Sequence, residues 1–176
     1  MELSVIIPAR NEMFLNRTVA DVLAKSRRKT EVIVILDGAW PEEPLEQDKR
    51  VTIIYHPKSV GQRAAQNEGA RVSTAKYIMK LDAHCILAEG FDDILIKTAE
   101  ELGKNVVQIP LQYNLHAFDW VCSKGHRRYQ SPSGPCEECP NGHDPKLKDE
   151  KEKKCTKCGV RCGAPTERDI IWKKRD

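Results

Sequence analysis

The sequence predicts an α/β fold built on a parallel β-sheet, followed by a small cysteine-rich zinc-binding module. Three observations lead to this prediction. Short apolar runs alternate with stretches of helical periodicity over residues 3–110. That periodicity fades from Asn114 onward, and six of the seven cysteines lie after it. We therefore expect two parts, residues 1–113 and residues 114–176.

Three apolar runs supply the first strands of the expected sheet. Leu3–Pro8 is a short run ended by proline, Glu31–Leu36 is closed by an Asp-Gly pair, and Val51–Tyr55 follows an acidic, proline-containing loop. Between the first two runs, apolar residues recur every three or four positions, which predicts a helix over Met13–Lys25. Asn11 is expected to cap this helix.

The same alternation continues along the chain. A helix is expected over Gly61–Val72, a strand over Tyr77–Leu81, a helix over Phe91–Leu102 and a strand over Val106–Pro110. In the part that follows, Gly, Pro, Lys, Glu and Cys replace the apolar residues. A segment of that composition buries little core, so we expect it to need a metal to fold.

Composition and charge exclude some classes of function. The formal net charge of +3 is too small to indicate a nucleic-acid-binding protein, which usually carries a strongly basic stripe. No apolar run approaches the roughly 18 residues of a membrane helix, and the N-terminus has no signal-peptide pattern. A cytoplasmic location is expected. No Gly-x-Gly-x-x-Gly follows the first strand, which argues against a dinucleotide-binding domain.

Polar residues cluster where the expected strands end, and ligands of such sheets bind at that edge. The first strand is followed by Arg10-Asn11-Glu12, and the fourth by Asp82-Ala83-His84. A carboxylate and an imidazole two residues apart can bind one divalent cation, with diphosphate oxygens completing the shell. The alternative is structural: Asp82 caps the next helix and His84 is a satisfied polar residue.

Two further positions have both a binding and a structural interpretation. Asp37, at the end of the second strand, can accept hydrogen bonds from a nucleoside base or ribose, or it can simply form an Asp-Gly turn. Arg63 lies in the first helical turn after Gly61, where the helix dipole disfavours a cation. It suggests an anionic partner, although arginines are common on helix surfaces.

Together these motifs resemble family 2 glycosyltransferases of the GT-A fold, a Rossmann-like nucleotide-sugar-binding architecture. The resemblance covers residues 3–112 and rests on Ser4–Glu12, the strand ending in Asp37, Gly61–Ala70 and Leu81–His84, in that order. It implies metal-assisted transfer of a sugar from a nucleoside-diphosphate donor, with UDP as the favoured nucleotide. The resemblance also implies site residues: nucleotide-pocket residues Pro8, Ala9, Arg10 and Glu12, base- or ribose-binding Asp37, diphosphate-binding Arg63, and manganese- or magnesium-binding Asp82 and His84.

The sequence departs from that family in two ways. The family usually has Asp-x-Asp where this chain has Asp82-Ala83-His84, a variant similar to polypeptide N-acetylgalactosaminyltransferases, and imidazole favours manganese over magnesium. The family also has a carboxylate base in an acceptor-binding half. Asp92-Asp93 comes too soon after the metal motif, and Asp169 lies beyond the cysteines. We therefore expect a truncated chain that binds donor but lacks a complete acceptor site.

The cysteine spacing predicts zinc. Two Cys-x2-Cys pairs separated by 15 residues are typical of zinc knuckles, and a site closed by four protein ligands is structural. One arrangement has two ions, and the alternative is a single ribbon held by the two pairs with the other four residues as bystanders. The eight candidate ligands are Cys122, His126, Cys136, Cys139, His143, Cys155, Cys158 and Cys162.

A second function remains open at this stage. The α/β part could be a non-catalytic scaffold whose zinc ribbon binds a protein or nucleic acid, although the mixed charges around the cysteines favour an ordinary solvated surface. Metal-dependent donor binding at the sheet edge would separate the two functions.

Overall fold

The computed structural model describes residues 1–41, 43–103, 105–121, 127–129 and 167–175. It divides into two compact units, Met1–Leu111 and Gln112–Asp176. No helix among the described residues is long and apolar enough to span a membrane. The first unit contains, in chain order, β1 (Leu3–Ala9), α1 (Leu15–Lys25), β2 (Thr30–Asp37), β3 (Val51–His56), α2 (Gln62–Val72), β4 (Tyr77–Lys80) and α3 (Phe91–Leu102).

The first unit is organised around a four-stranded parallel sheet in the order β3-β2-β1-β4. The inner strands β1 and β2 are buried almost throughout, as expected for strands covered on both faces. Because all four strands run in the same direction, their carboxyl ends meet at one edge. The predicted α/β fold with a parallel sheet is confirmed.

Helices cover both faces of the sheet. On one face, alternate residues of β1 and β2 share a buried cluster with apolar residues of α1 and α3. On the other face, Ile6, Ile33 and Ile35 pack with Ala65 of α2. The approach of α2 is close: a Cβ at Gly69 would lie 2.6 Å from Ile6 Cγ2. A larger residue at Gly69 would therefore push the helix off the sheet.

The second unit contains a three-stranded antiparallel sheet in the order β6-β5-β7. Its strands are β5 (Leu115–Val121), β6 (Arg127–Tyr129) and β7 (Glu167–Lys174). Ala117 and Trp120 of β5 are buried. This part was expected to bury little core, and these two are the buried apolar side chains among its described residues.

Two local predictions were wrong. Val106–Pro110 forms no strand: the segment is irregular, and Val107 is 90% exposed. An apolar run becomes a strand only where another strand pairs with it, and no described strand does so. Asn11 does not cap α1 either, because that helix begins at Leu15 with Phe14 as its N-cap. Asn11 instead has a left-handed backbone with φ of 51°.

Candidate functional site

The carboxyl edge of the parallel sheet brings together the segments that the sequence singled out. In the sheet register, Ala9 of β1 pairs with Leu36 of β2, one residue before Asp37. On the other side of β1, Ile6 pairs with Lys80, and Asp82 follows two residues later. The loops after β1, β2 and β4 therefore leave the sheet side by side.

The loop after β1 contains the first candidate binding residues. Ala9 is buried and Pro8 is half-buried, whereas the Arg10 side chain is exposed. Arg10 donates from Nη1 to the Ser59 hydroxyl at 3.4 Å, and that hydroxyl donates in turn to Asp37 at 2.8 Å. This short chain of hydrogen bonds connects the loop after β1 with the end of β2.

Asp37 is a buried carboxylate that holds the loop in front of α2. Oδ1 accepts from the Val60 N–H at 2.6 Å, while Oδ2 accepts from the Ser59 hydroxyl and from the Gly61 N–H at 3.0 Å. Burial alone would raise the pKa of Asp37, but these three hydrogen bonds and the charge of Arg10 outweigh it and lower the pKa. The two oxygens of a carboxylate offer about four acceptor positions, so about one remains for a ligand.

The N-terminal end of α2 lies next to this carboxylate. Gly61 is the N-cap residue, with φ of 88°, a conformation that side-chain-bearing residues rarely adopt. Arg63 lies in the first turn, is exposed, and has no acidic residue in that turn. The free N–H groups of a helix start and a cation together favour an anion.

The segment after β4 is held in place by a hydrogen bond from α1. Leu81 and Ala83 are buried, and the Thr18 hydroxyl donates to the Ala83 carbonyl at 3.0 Å. Between and after these buried residues, Asp82 is half-buried and His84 is exposed. Asp82 does not cap α3, whose N-cap is Gly90, so the capping alternative was wrong.

Both candidate metal ligands already have charged neighbours. Lys80 donates from Nζ to Asp82 Oδ1. His84 Nδ1 lies 3.1 Å from Glu12 Oε2. Among the described residues, no group of three or more His, Cys, Asp or Glu side chains is arranged to hold a metal ion.

The predicted zinc ligands lie outside the described residues. These ligands are Cys122, His126, Cys136, Cys139, His143, Cys155, Cys158 and Cys162. The strands that flank the first two are described: Val121 of β5 and Arg127 of β6 are cross-strand partners.

Sequence reasoning missed three residues that organise the edge. Ser59 connects Arg10 to Asp37, Thr18 holds the segment around Ala83, and Lys80 contacts Asp82. None belongs to a recognisable motif. Only the separation of Lys80 from Asp82, two positions along an extended segment, gave a signal of contact.

The family model and the curated relatives that match this chain are all described as glycosyltransferases. A family model described as Glycosyl transferase family 2 matches residues 4–168. An uncharacterized glycosyltransferase of Haemophilus influenzae is 31% identical over 93 residues, which are 49% of this chain and 37% of that protein. Another, of Rickettsia bellii, is 31% identical over 106 residues, which are 57% of this chain and 15% of that protein. The chain thus matches little more than a third of the first relative and less of the second.

The solved structures that match this chain include S. aureus TarS 1-349. That structure has a TM-score of 0.48 and 14% identity, and the match covers 71% of this chain and 43% of that one. The same protein in complex with UDP-GlcNAc has a TM-score of 0.49 and 16% identity, with 69% and 40% of the two chains covered.

Proposed function

This chain belongs to glycosyl transferase family 2, and we propose that the carboxyl edge of its parallel sheet binds a nucleoside-diphosphate sugar, with UDP as the favoured nucleotide, for metal-assisted transfer. The observation that carries the proposal is the meeting of three loops at that edge. A buried, ionised Asp37, an exposed Arg10 and the pair of His84 with Glu12 come from three different strands. Such sheets bind ligands at this edge.

We assign the residues by chemistry. Pro8 and Ala9 form the apolar side of the nucleotide pocket, with Arg10 and Glu12 beside them. Asp37 uses its remaining acceptor position for a base N–H or a ribose hydroxyl, and its low pKa keeps it an acceptor at neutral pH.

The start of α2 is the diphosphate end of the proposed site. Arg63 in its first turn presents a guanidinium, which suits phosphate oxygens. Lys80 adds a second exposed cation at the end of β4.

Asp82 and His84 fit a manganese or magnesium ion, and their donor set is the reason. One carboxylate and one imidazole leave room for diphosphate oxygens in the coordination shell. Glu12 engages Nδ1 of His84, so Nε2 is the nitrogen for the metal, as in carboxylate–histidine–metal arrangements. When bound, the ion would neutralise the departing diphosphate. We assign no catalytic base among the described residues.

The test is isothermal titration of UDP and GDP into the chain with and without manganese. We expect manganese-dependent UDP binding that Asp82→Asn removes. The matched control is Glu100→Gln, because the Lys76–Glu100 ion pair, with the Lys76 ammonium 3.1 Å from the carboxylate, lies at the opposite end of β4. Absence of binding of either nucleotide, or equal binding by both variants, would overturn the proposal.

We also propose that the cysteine-rich part binds at least one structural zinc ion. The support is the spacing of the two Cys-x2-Cys pairs. A single ion held by the two pairs and two ions that share all eight candidate ligands both fit that spacing.

Metal analysis of the purified chain tests the zinc proposal. Elemental mass spectrometry should find one or two zinc ions per chain, and a Cys136→Ser/Cys139→Ser double variant should lose one. Cys85→Ser is the matched control, since Cys85 is a half-buried free thiol in the first unit. A zinc-free chain, or equal zinc in all variants, would contradict the proposal.

A further inference from the structure

The edge strand β3 exposes apolar side chains on one face. Val51, Ile53 and Tyr55 pair with Val32, Val34 and Leu36, whose side chains enter the core beneath α1. Val51 is partly buried against that core, but Ile53 and Tyr55 are each 41% exposed. The sheet face that is buried in the core at β2 is therefore partly exposed to solvent at the edge strand β3.

The loop after β2 turns this face into a cavity. Trp40 stacks on Tyr55, with ring centroids 5.0 Å apart and ring planes 29° apart, and remains 59% exposed. The cavity has a volume of about 730 Å³, within the ordinary range for small-molecule sites. Apolar atoms of Leu45 and Ile53 and the exposed polar side chains of Glu46 and Gln47 also line it.

The loop that closes the cavity is held by specific contacts. Asn16 of α1 accepts from the Glu46 N–H at 3.1 Å. Arg50 donates to both oxygens of Asp48 and to the Leu23 carbonyl at the C-terminal end of α1. The hydrogen bonds from Arg50 lower the pKa of Asp48 to about 2, so this carboxylate stays ionised and keeps its hydrogen bonds within the loop.

This cavity is separate from the proposed donor site. Successive side chains of a strand point to opposite faces. Tyr55 and Leu36 face α1, whereas the next pair, His56 and Asp37, faces α2: His56 contacts Glu68 there, and Asp37 holds the loop before α2. The cavity also extends along β3 towards Val51, away from the carboxyl edge. A nucleobase held by Asp37 would not lie on Trp40.

We infer that the cavity lined by Trp40, Pro41, residues 44–49 and β3 binds a saccharide, as a glycan subsite separate from the donor site. A sugar ring is amphipathic: its C–H face packs on exposed aromatic rings, and its hydroxyls need donors and acceptors around them. Trp40 lines the cavity and supplies the aromatic ring, and Tyr55 supports that ring by stacking on it. Glu46, Gln47 and Lys49 supply an acceptor, an amide and a donor around the same cavity.

The choice of a saccharide rests on the proposed function, because a sugar is the ligand that suits an aromatic and polar cavity in a sugar transferase. The mixed polar lining argues against a purely apolar peptide, which would leave three hydrophilic side chains unpaired on burial.

The experiment compares the full chain with Trp40→Ala on a printed glycan array, followed by titration of the best-bound saccharide. We expect selective binding that Trp40→Ala weakens roughly tenfold, about the effect of losing one good aromatic contact. Trp40→Phe should restore part of the affinity. Val107→Ala is the matched surface control, because Val107 is 90% exposed and does not line the cavity.

UDP titration of the same variants separates this inference from the donor site. UDP binding unchanged in Trp40→Ala, together with lost saccharide binding, supports the inference. If the wild-type chain binds no glycan, or binds equally well without Trp40, the subsite is refuted whatever UDP does. If Trp40→Ala loses UDP binding, the rings belong to the nucleotide and the inference is also refuted.

Discussion

A buried aspartate accepts hydrogen bonds at each end of strand β2. One of the two carboxylates is structural, and the other is suited to binding a ligand. At the start of β2, Asp92 accepts from the Thr30 hydroxyl at 2.7 Å and from the backbone N–H groups of Arg27 and Arg28. At the other end, Asp37 accepts from Ser59, Val60 and Gly61.

The chemistry of the two groups is alike, but their surroundings differ. Asp92 is fully buried and also accepts from the Asp93 N–H, so its acceptor positions are filled by its own chain. The donors to Asp37 come from exposed loop residues, and Arg10 lies nearby. Burial of an aspartate therefore does not identify a site. What distinguishes Asp37 is a remaining acceptor position at the carboxyl edge.

Asp92→Ala should give the largest effect. It removes the acceptor of several N–H and O–H groups at the start of β2, and each buried donor left unsatisfied costs about 1–3 kcal/mol, so we expect a loss of about 3 kcal/mol or more. The measurement is the free energy of unfolding in urea. Asp93→Ala is the control, because Asp93 makes surface ion pairs with Arg28 and Lys97 and should cost less than about 1 kcal/mol. Equal losses would contradict the assignment of Asp92 as the structural carboxylate.

Asp37→Ala should destabilise less and abolish UDP binding. Its donors lie on an exposed loop, so water can replace the carboxylate, and we expect a loss of about 1–2 kcal/mol. The measurement pairs urea unfolding with UDP titration. A loss as large as that of Asp92→Ala, with UDP binding intact, would mean that Asp37 is a structural carboxylate like Asp92 and does not bind the nucleotide.

The sequence predicted the parts that depend on local periodicity. The expected helix over residues 91–102 matches α3, and the run Glu31–Leu36 lies inside β2. Because strand direction follows from βαβ connections, the carboxyl edge and the loops that meet there were also predictable. Partners that lie far apart in sequence were not: Thr18 and the Cys85 N–H, or Glu12 and His84, meet only after folding.

Strand β5 shows why pattern alone fails in the second unit. Its polar residues look like a loop in the sequence, but they pair within the strand and across the small sheet. His116 contacts Asp119 at 2.6 Å, and Arg127 of β6 bridges Asp119 and Asp169 of β7. The converse holds for Val106–Pro110, whose apolar pattern found no pairing strand among the described residues.

Lowering the pH should weaken the hydrogen bonds that Asp92 and Asp37 accept at the two ends of β2, because it protonates their carboxylates. Burial would raise the pKa of Asp92, but hydrogen bonds from Arg27, Arg28, Thr30 and Asp93 outweigh it, so the pKa lies below 3.8, as it does for Asp37. Carboxyls with a lowered folded pKa contribute stability that is present above their unfolded pKa and is lost as the pH falls through the folded value.

We therefore expect a stability that declines below about pH 4. The decline should be smaller than the effect of either alanine, since a protonated carboxyl still accepts hydrogen bonds. Urea unfolding from pH 7 to pH 3 measures it, and Asp92→Ala should flatten the decline. An unchanged pH dependence in that variant would mean that Asp92 does not titrate with folding.

Glu12→Gln should change stability by less than about 1 kcal/mol, because Glu12 is paired with an exposed imidazole, that of His84. Its effect should instead fall on metal-dependent binding. A carboxylate beside a ligating imidazole orients the ring and raises its basicity, and losing such a partner weakens metal binding about tenfold or more. We expect a loss of that size in UDP affinity with manganese and a much smaller one without. Glu68→Gln changes the other His–Glu pair, His56 with Glu68, and should leave the manganese dependence intact. If the two variants behave alike, the imidazole of His84 is not the metal ligand, and Glu12 only holds the loop after β1.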